Sequence, residues 1–161
     1  MNYIKNLVNY TRTSLLFTIA MALLLLPVSS AFAEDDNIEF LKAAFAGKPE
    51  TINQLIEKGI DPNLQNEMGC SALIIASQYG HADIVNLFLD KNVKVDLQNK
   101  GGATALTIAA KNGHEAVVNA LLAKGAKVDI QTTDGITALM VAIQKGHESI
   151  VDVLIAKGAN I

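Results

Sequence analysis

The chain has 161 residues, 13 basic against 16 acidic, for a formal net charge of −3. That length holds one domain at most. A single cysteine, Cys70, leaves no internal disulfide to form, and a single arginine, Arg12, argues against a nucleic-acid partner, because arginine forks read guanine and grip phosphate.

Residues 1–33 read as a secretory signal peptide. Lys5 and Arg12 make a positive start, Leu15 to Leu26 is an apolar run broken only by Thr18, Pro27 ends it, and Ala31-Phe32-Ala33 is an A-x-A cleavage pattern. The expected cut follows Ala33. The run is short for a membrane span of about 20 residues, and no cysteine near its end offers a lipid anchor. Cleavage predicts an exported protein with no membrane attachment, periplasmic in a Gram-negative bacterium or, alternatively, secreted. Removing Lys5 and Arg12 from the 13 basic residues leaves 11 lysines against 16 acidic residues, a net charge of −5 and no arginine.

From residue 34 onward the chain repeats itself every 33 residues, and a fixed period in this range signals a stacked array. Gly-His recurs at 80–81, 113–114 and 146–147; Gly69, Gly102 and Gly135 keep the same spacing, as do Leu73, Leu106 and Leu139, and Ala76, Ala109 and Ala142. The predicted units are 34–66, 67–99, 100–132 and 133–161. The first is degenerate. Phe40, Ala43 and Gly47 hold their places, and Ile52, Leu55 and Ile56 form an apolar stripe, but the turn glycine and the threonine are replaced by Asp36 and Ile38. Asp36 with Glu39 three residues later resembles a capping box that starts a helix directly, as an N-terminal capping repeat needs.

In the second unit the stripe is Ile84, Val85, Phe88 and Leu89, and Asn92 takes the left-handed position after the helix. The third unit is the fullest. Gly101-Gly102 supplies a tight turn, Thr104 is an N-cap, and Leu106 with Ala109 sets one edge of a short helix reaching Asn112, which Gly113 breaks. His114-Glu115 opens a second helix whose stripe is Val117, Val118, Leu121 and Leu122, closed by Lys124 and a left-handed Gly125. In the fourth unit Ile150, Val151, Leu154 and Ile155 form the stripe before Lys157 and Gly158. Asp83, Glu115 and Glu148 in first turns and Lys91, Lys124 and Lys157 in last turns suit the helix dipoles. Val141, Ile143 and Val153 give this last unit an apolar outer face, which either frays or stacks on a partner or second copy.

The order G-x-T-A-L…G-H…V-V…L-L…K-G-A, complete from Gly102 to Ala126, resembles the ankyrin repeat, whose hallmark is Thr-Pro-Leu-His. Here the proline is Ala72, Ala105 and Ala138 and the histidine is Ile74, Thr107 and Met140, a loss that implies softer hairpins. The resemblance implies an all-α repeat fold, a solenoid of four helix-turn-helix repeats joined by β-hairpin loops. It also implies a non-enzymatic, monomeric module that binds a protein partner through a concave face of hairpin tips and first helices.

The positions matching that face are Glu67, Met68, Cys70, Gln78 and Tyr79 in the second repeat, Lys100, Ala103, Lys111 and Asn112 in the third, and Thr133, Asp134, Ile136, Gln144 and Lys145 in the fourth. They change character between copies. Tyr79 is the best single anchor, or else packs on a neighbouring repeat. Cys70 is either an ordinary small residue or a reactive thiol. Resembling exported bacterial proteins support oxidative defence or neutralise toxins, and a secreted effector binding a host protein is a further alternative.

Three periodic histidines invite a metal site, but stacked helices stand about 8–10 Å apart, whereas ligands sit about 2 Å from one zinc ion. The expected role is bonding to adjacent loops. Asp96 and Asp129 also keep the period, which reads as loop capping, not acid/base chemistry. No nucleophile elbow, phosphate loop or His-Glu-x-x-His motif occurs, so neither a catalytic residue nor a cofactor is expected.

Overall fold

The computed structural model describes residues 29–160, with side chains from Asp35 onward. The chain divides into units of residues 1–35 and 36–161, and the second holds all four repeats. The leader expected in 1–33 lies outside the described residues except at the start of the first helix.

Among the described residues eight helices follow in pairs: α1 (Ser29–Ala46) and α2 (Pro49–Glu57), α3 (Ala72–Tyr79) and α4 (Ala82–Asp90), α5 (Ala105–Asn112) and α6 (Glu115–Ala123), α7 (Ala138–Lys145) and α8 (Glu148–Ala156). Among the described residues there is no β-strand. The expected β-hairpins reduce to tight turns, with one isolated bridge between Gln65 and Ser71. The turns are closed by Asn66 N–H to Cys70 O, Asn99 N–H to Ala103 O and Thr132 N–H to Ile136 O. With so few residues before Ser71, Thr104 and Thr137 begin the next helices, no ladder can extend. No helix of the described residues is long and apolar enough to cross a membrane.

The first helices of repeats two to four start alike. Ser71, Thr104 and Thr137 are buried N-caps whose hydroxyls accept from Ile74, Thr107 and Met140 N–H. Each helix ends on a left-handed glycine, Gly80, Gly113 or Gly146. Asn92, at φ 54°, is the sole non-glycine with positive φ among the described residues, in the place the sequence reserves for it. Lys91, Lys124 and Lys157 stand at the C-caps, one residue beyond the last turn.

The first repeat departs from its expected start. Asp36 and Glu39 lie inside α1, so they form no capping box. The residues before Asp36 include Ala31, Ala33 and Glu34, good helix formers that let the helix run through. Asp36 instead stands 4.0 Å from Lys58 Nζ, an exposed pair of little energetic weight.

The core is a continuous column. Ile84, Val85, Phe88 and Leu89 are buried, as are Val117, Val118, Leu121 and Leu122, and Phe40 meets Phe88 edge-on at 5.8 Å. In the fourth repeat Ile150 and Leu154 are buried, Val151 is half-buried and Ile155 is 45% exposed. On the outer face there, Val141 is buried and Val153 half-buried, so of the three apolar residues expected on it only Ile143 is exposed.

Candidate protein-binding surface

The loops and histidines form the framework that holds this surface. Asn63, Asp96 and Asp129 side chains accept from the N–H of Lys94, Lys127 and Asn160, each 31 residues on, at 2.7, 3.0 and 3.0 Å. Asp96 and Asp129 are therefore inter-repeat caps. Gln65 and Gln98 reach across with Nε2 to Gln98 O and Gln131 O. Lys100 N–H donates to Met68 O and Thr133 N–H to Gly101 O, so each hairpin tip is tied to the next.

The histidines do equivalent work between the end of each first helix and the start of the next repeat's second helix. His81, His114 and His147 place Nε2 at 2.9, 3.0 and 3.2 Å from the carbonyl oxygens of Phe45, Gln78 and Lys111. A carbonyl only accepts, so Nε2 carries the proton in all three rings. Each imidazole is engaged with backbone, which accounts for its spacing without a metal.

On this frame the expected contact residues separate into three groups. Glu67, Met68, Lys100, Thr133 and Asp134 are exposed at the tips, and Gln78, Tyr79, Lys111, Asn112, Gln144 and Lys145 are exposed at the ends of α3, α5 and α7. Two of these also serve the frame: Asn112 Nδ2 donates to Gln78 O at 3.1 Å and Thr133 Oγ1 to Gly101 O at 3.2 Å. In the third group Ala103 is 8% exposed, too buried to offer much of its side chain, while its equivalents Cys70 and Ile136 are half-buried against the core. At these three positions the N–H is held by Asn99 Oδ1, Asn66 Oδ1 or Thr132 Oγ1, which fixes the residue where the chain re-enters the core. The Cys70 thiol has only a 4.0 Å contact with Asn99 Nδ2.

Tyr79 packs on the repeat before it. Its ring meets Phe45 edge-on at 4.6 Å and stacks on His81 at 6.3 Å, yet it stays 46% exposed. Phe45, at 55% exposure, was not among the expected contact residues, nor was Ile38 at 48%. Phe45 stands 33 residues before Gln78, so a bulky apolar side chain at a position polar in the later copies was the available signal. With Leu41, Cys70 and Ile75 these residues line an open groove of about 360 Å³. Toward the other end the surface turns basic. Lys111 and Lys145 occupy last turns, which suits the dipole, and neither they nor Lys100 has an ionic partner within 4.0 Å among the described residues.

The family model for ankyrin repeats in three copies matches residues 40–132 and 94–161. The chain is also 46% identical over 37 residues to a Pseudomonas aeruginosa protein whose name describes it as an ankyrin repeat protein, a match covering 23% of this chain and 22% of that one. The chain thus spans about a fifth of that relative's length. The paired helices, the turn-to-turn ties and the matched residues agree, and the chain belongs to the ankyrin repeat family, whose repeats are protein-interaction modules and whose members are typically not enzymes.

Proposed function

We propose that this protein is an exported, non-enzymatic module that binds another protein through the surface made by its hairpin tips and first-helix ends. One observation carries the reading: the recurring histidines and loop residues are used up by the frame, while the exposed residues of the hairpin tips and first-helix ends, which that frame ties from repeat to repeat, change character between copies. Aromatic and methionine side chains at Phe45, Met68 and Tyr79 offer the apolar anchors that dominate interface energetics, and Lys100, Lys111 and Lys145 offer charge for orientation. The sequence of residues 1–33 supports export by its three-part signal pattern.

Two experiments test these parts separately. Tyr79→Ala combined with Lys111→Glu, in protein that still melts cooperatively, is expected to lower partner recovery from envelope extract by at least about tenfold, the loss of about 1.4 kcal/mol. Unchanged recovery would defeat the surface assignment. Mass spectrometry of the protein recovered from the periplasmic fraction is expected to show Glu34 as its first residue; an intact leader in the cytoplasmic fraction would defeat export.

A further inference from the structure

Charge is divided between the two kinds of helix. Among the first helices, α3, α5 and α7 carry Lys111 and Lys145 and no carboxylate, whereas α2, α4, α6 and α8 each carry one or two carboxylates and no lysine. The remaining first helix, α1, is mixed, its acidic residues all preceding Lys42. The tips are mixed too, with Glu67, Lys100 and Asp134. A chain of net negative charge therefore turns positive along its first-helix ends.

Beside these lysines lies the apolar groove of about 360 Å³, walled by Ile38, Leu41, Phe45, Ile75 and Tyr79 and lined also by Lys42. The edge-on contact of Phe45 with Tyr79 at 4.6 Å joins the first two repeats across it. The Tyr79 hydroxyl accepts from Gln78 Nε2 at 3.5 Å, which leaves its own proton to donate. Phe45 and Tyr79 occupy positions whose counterparts Lys111 and Asn112 are exposed as well, on a helix with α3 packed on one side and α7 on the other. The groove thus opens on the flank of the stack, not at an end.

Resting on the binding surface proposed above, we infer that its ligand is an acidic, extended segment of another protein, with one bulky apolar side chain seated in the groove and carboxylates over Lys111 and Lys145. Isolated lysines beside an apolar slot suit protein carboxylates, since they supply point charges without the arginine fork that grips phosphate. The stacking fixes the spacing. Neighbouring first helices stand about 10 Å apart and an extended chain advances about 3.3 Å per residue, so about three residues span one repeat. Counted from the anchor, the carboxylates fall about three residues away for Lys111 and about six for Lys145. A partner helix, rising about 1.5 Å per residue, would need about seven and thirteen.

Random peptides of about sixteen residues, long enough for either spacing, are displayed on phage and selected on the immobilised protein. The enriched sequences are expected to carry one aromatic or large aliphatic residue and two carboxylates, about three and six residues to one side of it. Fluorescence anisotropy with the most enriched peptide is expected to show affinity at least about tenfold weaker for the protein carrying Lys111→Glu and Lys145→Glu, with its thermal midpoint in place. Changing the peptide's apolar anchor to alanine should weaken binding to the unaltered protein by a similar factor. Enrichment of basic sequences, carboxylates at the helical spacing, no common motif, or an affinity indifferent to the lysine changes would each overturn the acidic segment. If the selection fails while Tyr79→Ala with Lys111→Glu still loses the envelope partner, the segment falls and the surface stands; a partner retained by that double variant removes the surface itself.

Discussion

The imidazole of His114 lies 3.0 Å from the carbonyl oxygen of Gln78, a residue 36 positions earlier, and its ring covers Gly80. One side chain thus ties the end of α3 to the start of α6 and holds two repeats in register.

His114→Ala removes that tie and uncovers Gly80. A hydrogen bond of this kind contributes about 1 kcal/mol and the lost ring contact adds to it, so a loss of about 1–2 kcal/mol is expected. Urea unfolding monitored by circular dichroism measures it. An unaltered midpoint would show that the ring does not hold the junction.

Two glycines with nearly equal φ separate strain from crowding. Gly125, at φ 83°, has nothing within 4 Å of its missing Cβ, whereas one on Gly113, at φ 76°, would meet His147 Cε1 at 2.7 Å. Gly125→Ala should cost only the left-handed penalty, about 1–2 kcal/mol. Gly113→Ala should cost more, because it also displaces the imidazole from Lys111 O. Equal losses in parallel thermal melts would contradict the crowding seen at Gly113.

Ser77 is fully buried, and its hydroxyl has no hydrogen-bond partner among the described residues. Its equivalent in the third repeat is Ala110, also fully buried. Ser77→Ala is expected to raise stability by about 1 kcal/mol, since a buried unsatisfied hydroxyl carries a desolvation penalty and alanine already fits the site. A lower melting temperature for the variant would show that the hydroxyl is satisfied after all.

Polar contacts in this fold differ widely in weight. Thr104, buried, accepts from Thr107 N–H and bonds Thr107 Oγ1 at 3.1 Å, so Thr104→Ala should cost about 1–2 kcal/mol. The Lys124–Asp90 pair at 3.2 Å is exposed at both ends, and Asp90→Ala should cost under about 0.5 kcal/mol. Chemical denaturation of both variants decides the order, and a larger loss from Asp90→Ala would reverse it.

The frame was legible because stacking imposes the same demand every 33 residues, so caps, stripes and left-handed positions repeat in the sequence as they do in space. Thr104, Gly113, Asn92 and the four-residue stripes of the second and third repeats stand where their spacing puts them. The first repeat is harder to read, because it lacks the turn residues that mark the start of the others. Asp36 and Glu39 matched a capping box by spacing alone, but local propensity carries the helix past them. Ala103 reads as a contact residue because its copies, Cys70 and Ile136, differ from it. Variation there reflects tolerance in a half-buried site whose backbone is pinned by Asn99. Phe45 stands out only against Gln78, Lys111 and Gln144, since the first repeat has no hairpin to mark the end of its first helix as part of the surface.

Hydrogen–deuterium exchange of the protein with and without its captured partner decides whether binding resides on the hairpin tips and first-helix ends. Slowed exchange is expected at Met68 and Lys100 in the tips and at Tyr79, Lys111 and Lys145 in the first-helix ends, with α4 and α6 unchanged. Protection confined to α4, α6 and α8, with those tips and ends unaffected, would contradict it.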